Sequence, residues 1–231
     1  MDKNTGDNGR YSRQSALEGF EEAAALLRKA SVAVIGAGGV ASAALPLLAG
    51  GGAGRIKICD FDAVSLSNLH RQTLYTETQI GRNKANEAAA RLAAINSSIE
   101  ITASSDKLSS IQEISAFVAG ADLCIDATDS FLSRRDISRA CALAGVRLIA
   151  CCAAGFTAQI FELDASFTFD DVAPGACEPP QKLPIFAPAA HLSGVWGAGK
   201  ALRIIAKAED FVAGYMQSYD FQTNKYFSGR L

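Results

Sequence analysis

The chain has no apolar run approaching the roughly 20 residues that a membrane-spanning helix needs, and its polar start, Met1 to Asn8, lacks the apolar core of a secretion signal. A cytoplasmic protein is expected. No C-x-x-C pair occurs among the six cysteines, Cys59, Cys124, Cys141, Cys151, Cys152 and Cys177, so a four-cysteine zinc site and a thioredoxin-like motif both lose their support. No zinc is expected. A disulfide framework is equally out of keeping with 231 residues and no secretion signal. An excess of one charge is missing too: 22 Lys and Arg face 24 Asp and Glu, for a net charge of −2 and a pI near 5.7. No basic face for nucleic acid is announced. Histidine is scarce. His70 and His191 fall in no recognisable Ser-His-Asp arrangement, and neither is assigned a role.

What is present is a chain long enough for one large α/β domain with a sizeable core. Hydrophobic residues make up 49% and charged residues 20%, ordinary globular usage. Residues 1–9 read as a disordered start. An alanine-rich helix follows Arg10–Ser15 and runs through Lys29, with Leu17, Phe20, Ala24 and Leu27 on one buried face. Ser31 to Ser42 then gives the organising pattern. The β-branched run Val32–Ile35 reads as a buried parallel strand. It breaks on Gly36, Gly38 and Gly39 and continues into the helix-forming Ala41–Leu45. Strand, glycine turn and helix start make a cradle for phosphate, because glycines let the backbone approach the anion and free N–H groups attract it.

Gly50 to Gly54 end that helix, and Arg55–Asp60 reads as the second strand. Asp60 stands where nucleotide-binding folds place the acid that accepts ribose hydroxyls. The next segment, Asp60 to Gln72, holds Asp62, Ser67, Asn68 and Arg71 with no helical periodicity, unusual for a plain connector. Arg71 can fork a phosphate, and Asn68 can order phosphate or metal-bound water. Lys84 opens a helix over Ala85–Ala94, an unfavourable place for a cation unless an anion binds there. Further strands are read at Asp122–Asp129, the fourth, then at Val146–Cys151 and Ala158–Leu163. Helices are read at Arg134–Gly145 and from Gly194 to Phe211. Asp170–Ala190, with five prolines, reads as a loop.

The runs "RYSRQ", "GAGGVAS", "DFDAVSLSNLHRQ", "GRNKA" and "DATDS…R" resemble the ubiquitin-activating-type adenylyltransferases, the superfamily of the ThiF, MoeB and HesA proteins. The resemblance covers the chain from Arg10 to the strand near Asp220, and the Asp60–Gln72 block is its most specific part. It implies a Rossmann-like, mostly parallel sheet with helices on both faces and C-terminal antiparallel strands. It also implies ATP- and magnesium-dependent adenylation of the C-terminal carboxylate of a small ubiquitin-like sulfur carrier ending in Gly-Gly.

Carried over residue by residue, Gly36, Gly38 and Gly39 would lie on the phosphates and Asp60 would hold the ribose. Asp62, Ser67, Gln72 and Ser130 would line the nucleotide site. Asn68, Arg71 and Lys84 would stabilise the departing pyrophosphate, and Asp129 would hold magnesium. Members are usually homodimers in which Arg13 would reach the partner's ATP. Residues 170–190 would form a crossover loop over the carrier's tail, carrying Cys177 as a candidate nucleophile for a carrier adduct. Sulfur would come from a separate donor, since no sulfur-transfer domain follows within these residues.

Two departures stand out: Ala41 replaces a usual glycine, and Ser130 a usual asparagine, as in the tRNA threonylcarbamoyladenosine dehydratase branch. Adenylation of another carboxylate, on a peptide C-terminus or a modified tRNA, is therefore the alternative. The low pI weighs against tRNA. A non-catalytic nucleotide-binding protein is the reading from another class, opposed by Arg71, Lys84 and Asp129 together. An NAD-dependent dehydrogenase is weaker, because hydride transfer has no need of the Asp60–Gln72 block.

Overall fold

Alternation within the apolar strands decides the layering. Val32 and Val34 point to one side of β1 (Ser31–Ile35), and Ala33 and Ile35 to the other, yet all are buried. A strand buried on both faces belongs in the middle of a covered parallel sheet. The computed structural model, which describes residues 9–181 and 183–231, places β1 there. The frayed start expected at residues 1–9 falls almost wholly outside the described residues. Around β1 lie β2 (Arg55–Cys59), β3 (Glu100–Ser104), β4 (Leu123–Asp126), β5 (Arg147–Ala154), β6 (Thr157–Leu163), β7 (Tyr215–Asp220) and β8 (Lys225–Arg230). Their order in one sheet is β3-β2-β1-β4-β5-β6-β7-β8. The first five are parallel, and β6, β7 and β8 add on antiparallel.

Helices cover both faces. α3 (Gly39–Gly51), α4 (Lys84–Ile95) and α8 (Ala187–Ile205) bury Leu45, Leu48, Leu92 and Ala198 with Val32, Val34, Ile58 and Ile125. α5 (Ile111–Val118) and α6 (Phe131–Ala144) bury Ile114, Val118 and Ile137 on the opposite face, with Ala33, Cys124 and Leu148. Full burial of one such aliphatic side chain contributes about 1.5–3 kcal/mol, so these two layers hold the sheet. Cys124, Cys141, Cys151 and Cys152 sit in them as buried free thiols.

Several boundaries differ from the sequence reading. The N-terminal helix is broken: α1 (Ser12–Ser15) stops, Gly19 turns the chain at φ +79°, and α2 (Ala23–Lys29) restarts. Its buried positions are Ala23 and Leu27, while Leu17 is 57% exposed. The fourth strand ends at Asp126 rather than Asp129, where the chain turns toward α6. The 170–190 segment is not all loop. α7 (Phe169–Val172) opens it through a Thr168–Asp171 capping box, and Ala187–Ala190 already belongs to α8. Pro188 starts that helix, since proline fits the first turn where its missing N–H is not needed. α8 therefore begins seven residues before Gly194 and ends at Ile205, short of Phe211.

α8 lies directly on α3 because Gly194 has no side chain. A Cβ there would stand 2.1 Å from the Val40 carbonyl oxygen. At Gly199 of the same helix a Cβ would meet nothing within 4 Å. Gly194→Ala is expected to lower stability by about 1–3 kcal/mol through overpacking. Gly199→Ala should be neutral or raise it by about 0.5–1 kcal/mol. Chemical denaturation of both variants checks the pair.

Candidate active site

A parallel strand order that reverses beside β1 leaves a crevice at the carboxyl ends of β1 and β4, where open α/β sheets hold ligands. A cavity of about 300 Å³ opens there. Of the residues singled out in the sequence, Gly36, Gly38, Gly39, Asp60, Asp62, Arg71, Gln72, Lys84, Asp129 and Ser130 line it. Ser67, Asn68, Arg13 and Cys177 do not.

The glycine turn is shaped by contact as much as by dihedral angle. Gly36 has φ +93°, and a Cβ on it would stand 2.8 Å from the carbonyl carbon and oxygen of Ala127. At Gly39 a Cβ would crowd Arg71, 3.2 Å from its Cγ. Side chains are thus excluded by the turn after β4 and by the Arg71–Gln72 segment, which together press the turn into its cradle. Ala41 is fully buried within α3 and joins the core cluster.

Asp60 fixes the turn from the β2 side. Its Oδ2 accepts from the Ala37 N–H at 2.7 Å and its Oδ1 from the Asp62 N–H at 2.8 Å. Burial pushes its carboxyl above the usual range, against the opposing pull of those two N–H groups. Tyr75 ties the same turn to α4, donating its buried hydroxyl to the carbonyls of Ala37 (2.7 Å) and Lys84 (3.1 Å). Tyr75 escaped the sequence reading, because its neighbours Leu74 and Thr76 give no sign of where its hydroxyl goes.

Lys84 is buried, with 6% of its side chain exposed, and its Nζ contacts Asp62 Oδ2 at 3.0 Å. Asn83 caps α4, accepting from Asn86 N–H, and donates its amide to the Asp60 carbonyl at 2.9 Å. The two histidines given no role both hold Arg71. Arg71 Nη1 is 2.7 Å from His70 Nε2, which must accept because a guanidinium only donates. His191 Nε2 lies 2.8 Å from the Arg71 carbonyl. Gln72 is 4% exposed, and its Oε1 is buried with no hydrogen-bond partner. A buried orphan acceptor on a cavity wall is a place for a ligand's donor.

On the β4 side, Asp126 is wholly buried and pairs with Arg134 Nε at 3.2 Å. It also accepts from the Thr128 N–H and hydroxyl, at 2.8 and 2.7 Å. Arg134 Nη2 donates to the Thr128 carbonyl at 2.6 Å. Burial raises the Asp126 carboxyl, while the Arg134 charge opposes that rise. This closed knot shapes the turn that carries Asp129 to the cavity. The arginine of the "DATDS…R" run is therefore a brace for the aspartate.

The site's charge bears on what it can hold. Asp60, Asp62, Asp106, Asp129 and Asp136 line the cavity with only Arg71 and Lys84 to balance them. A polyphosphate entering this acidic wall needs added positive charge. Among the described residues no group of three or more His, Cys, Asp or Glu is placed to hold a metal. Magnesium asks less, since it keeps its waters and binds through one or two carboxylates plus substrate phosphates. Asp129 with phosphate oxygens fits that donor set, and the Gln72 oxygen fits a bound water or hydroxyl.

Outside the cavity, Ser67 pairs with Ser65 on the surface, and the Asn68 carbonyl accepts from the Arg71 and Gln72 N–H groups, turning the chain. Arg13 is exposed at the far end of the molecule. Its neighbours Tyr11 and Gln14 sit on Gly52 and Gly51, the C-terminal end of α3. The 13 residues of α3 put that end roughly 20 Å from the glycine turn, beyond an arginine's reach. Cys177 is exposed on the proline-rich segment.

The ThiF family model matches residues 11–231. The chain belongs to the ThiF family. This ThiF-family chain is 32% identical over 228 residues to a Thermus thermophilus protein named sulfur carrier protein adenylyltransferase, covering 91% of this chain and 82% of that protein. A molybdopterin-synthase adenylyltransferase of Salmonella typhimurium is 39% identical over 152 residues, 65% of this chain and 61% of its own length. An Anopheles gambiae adenylyltransferase and sulfurtransferase is 34% identical over 96% of this chain and 52% of its own length. The chain thus spans about half to three fifths of the last two relatives. In fold it superposes on E. coli MccB with a TM-score of 0.86 at 20% identity, covering 99% of this chain and 71% of that one. No described helix is long and apolar enough to cross a membrane.

The Asp126–Arg134 knot is open to a direct check. Arg134→Met leaves a buried carboxylate uncompensated and should cost about 3–5 kcal/mol in a denaturation midpoint. Arg139→Met removes an exposed pair with Asp170 and should leave the midpoint nearly unchanged.

Proposed function

We propose that the protein adenylates the C-terminal carboxylate of a small ubiquitin-like sulfur carrier ending in Gly-Gly. It would consume ATP with magnesium and release pyrophosphate, in the cytoplasm, within thiamine, molybdopterin or specialised sulfur-metabolite synthesis. The observation that carries this reading is the meeting in one cavity of the glycine turn, Asp60, Arg71, Lys84 and Asp129. Membership of a family whose relatives carry adenylyltransferase names supports it.

The chemistry asks little of acid–base groups. The acceptor carboxylate is already ionised, so one of its oxygens attacks the α-phosphorus. The bond from that phosphorus to the bridging oxygen breaks, pyrophosphate leaves, and no proton has to move. Catalysis then rests on positioning and charge. Gly38 and Gly39 present backbone at the start of α3 to the phosphates, with Gln72 beside them. Asp60 keeps unused lone pairs for ribose hydroxyls, beyond the two N–H groups it already accepts. Arg71 and Lys84 stabilise the charge that builds as pyrophosphate departs. Magnesium held by Asp129 and phosphate oxygens would add positive charge at the same place. Arg13, too distant from its own cavity, would act on the ATP of a second copy in a homodimer. Cys177 is the residue to test for a covalent carrier adduct, with sulfur brought by a separate donor.

ATP–pyrophosphate exchange with carriers ending in Gly-Gly is the decisive assay. Exchange with none, alongside normal ATP binding, would overturn the sulfur-carrier reading. Lys84→Met should lower the exchange rate on the order of 10²–10³-fold, and Asp129→Ala should abolish magnesium-dependent exchange while leaving the fold intact. Full activity in either variant removes that residue from the mechanism. Mixing inactive Arg13→Ala and Asp129→Ala chains should restore exchange; failure to restore it refutes the shared site.

A further inference from the structure

The proline-rich segment is anchored at one charged point. Glu178 Oε1 accepts a hydrogen bond from the Ser130 hydroxyl at 2.5 Å and another from the Leu132 N–H at 2.8 Å. The Ser130 hydroxyl itself accepts from Ser133 N–H as the cap of α6, so its proton is committed to the carboxylate. Burial works to raise the Glu178 carboxyl, yet these hydrogen bonds hold it below the usual range. A carboxylate oxygen is thus seated on the N-terminal end of a 14-residue helix, where the dipole favours negative charge. Ser130 and Asp129, beside this seat, line the same cavity as the glycine turn. The orphan Gln72 oxygen marks that cavity independently as a place built for a ligand.

Glu178 is exposed, and among the described residues it makes no hydrogen bond to Asp126, Arg134, Asp60 or Lys84, although the Arg134 charge also acts on its carboxylate. Its hydrogen bonds run to the start of α6, through Ser130, Phe131 and Leu132. A side-chain carboxylate resting beside the proposed metal-binding aspartate has the same chemistry as the acceptor of the proposed reaction.

We infer that Glu178 is a placeholder: its carboxylate occupies the seat of the acceptor carboxylate, and an incoming carrier C-terminus displaces it from Ser130 and Leu132 and releases the segment that bears Cys177. The inference rests on the adenylation reading for the identity of the acceptor. The seat's preference for a carboxylate is read from the structure alone. Ser130 then becomes a positioning residue for the acceptor, and Glu178 a competitor that sets how readily the acceptor enters.

Two measurements test this, and the second needs no turnover. In exchange kinetics, Glu178→Gln and more strongly Glu178→Ala should lower the carrier KM about tenfold, with kcat and the ATP KM within about twofold; Ser130→Ala should raise the carrier KM. A carrier KM that is unchanged or raised in both Glu178 variants overturns the placeholder, since a merely structural contact would give that result. In amide hydrogen exchange on the wild-type chain, a short peptide ending in Gly-Gly with a free carboxylate should speed exchange across residues 173–181. The same peptide ending in a carboxamide should not. Equal effects of the two peptides, or no effect of the free acid, would refute the seat. Selective release by the free acid upholds it even if no carrier supports pyrophosphate exchange, which separates its failure from that of the adenylation reading.

Discussion

The site depends on one backbone contact. Gly36 brings the turn after β1 so close to Ala127 that no Cβ fits between them, and this approach joins the two loops that face the cavity. A side chain at Gly36 would push the glycine turn away from the turn that carries Asp129, and the cavity would open along the seam between β1 and β4. The surrounding groups reinforce that contact. Asp60 grips the cradle from β2, and Asp126 with Arg134 stiffens the opposite turn. The Asp126–Arg134 pair is a poor source of stability, since desolvating two charges offsets much of their attraction. Its value is geometric, because it admits one shape for the chain between Asp126 and Arg134.

Electrostatics then divide the cavity into two kinds of wall. The starts of α3, α4, α6 and α8 all face it, through Gly39, Lys84, Ser130 and Ala190, and helix starts carry partial positive charge. Between them stand carboxylates in excess of Arg71 and Lys84. A bare polyanion meets attraction from backbone and repulsion from side chains. An anion accompanied by a cation meets attraction from both, so the wall discriminates by the charge state of what enters.

Much of this was legible in the residues, for a physical reason. Glycines at a close approach, an acid ending a strand and a lysine at a helix start are each costly without a ligand or a partner. Such residues announce themselves: Gly36, Asp60 and Lys84 all came to the cavity. Long-range partners could not be read in this way. Tyr75 and His191 act on backbone carbonyls elsewhere along the chain, and His70 on the side chain beside it, and no residue type announces such a partner. Ser67 and Asn68 share the polarity of their neighbours but lie outside the cavity lining, because a short turn without period gives no sign of which residues reach it. Boundary errors had local causes. Gly19 cut a helix that alanine content favoured, and Pro188 began a helix inside a stretch whose composition suggested loop.

The fastening of α3 to α4 has a mechanical meaning. At their cavity ends the Tyr75 hydroxyl bridges Ala37 and Lys84. At their far ends the Asn96 amide donates both to the Ala49 carbonyl and to the Tyr11 hydroxyl. The two helices are therefore a beam clamped at both ends, and Tyr11 is part of the outer clamp. The residues around Tyr11 work as a strut of the frame rather than an appendage to it. A force applied at the glycine turn is carried along both helices to the opposite side of the molecule, to the strut on which Arg13 stands.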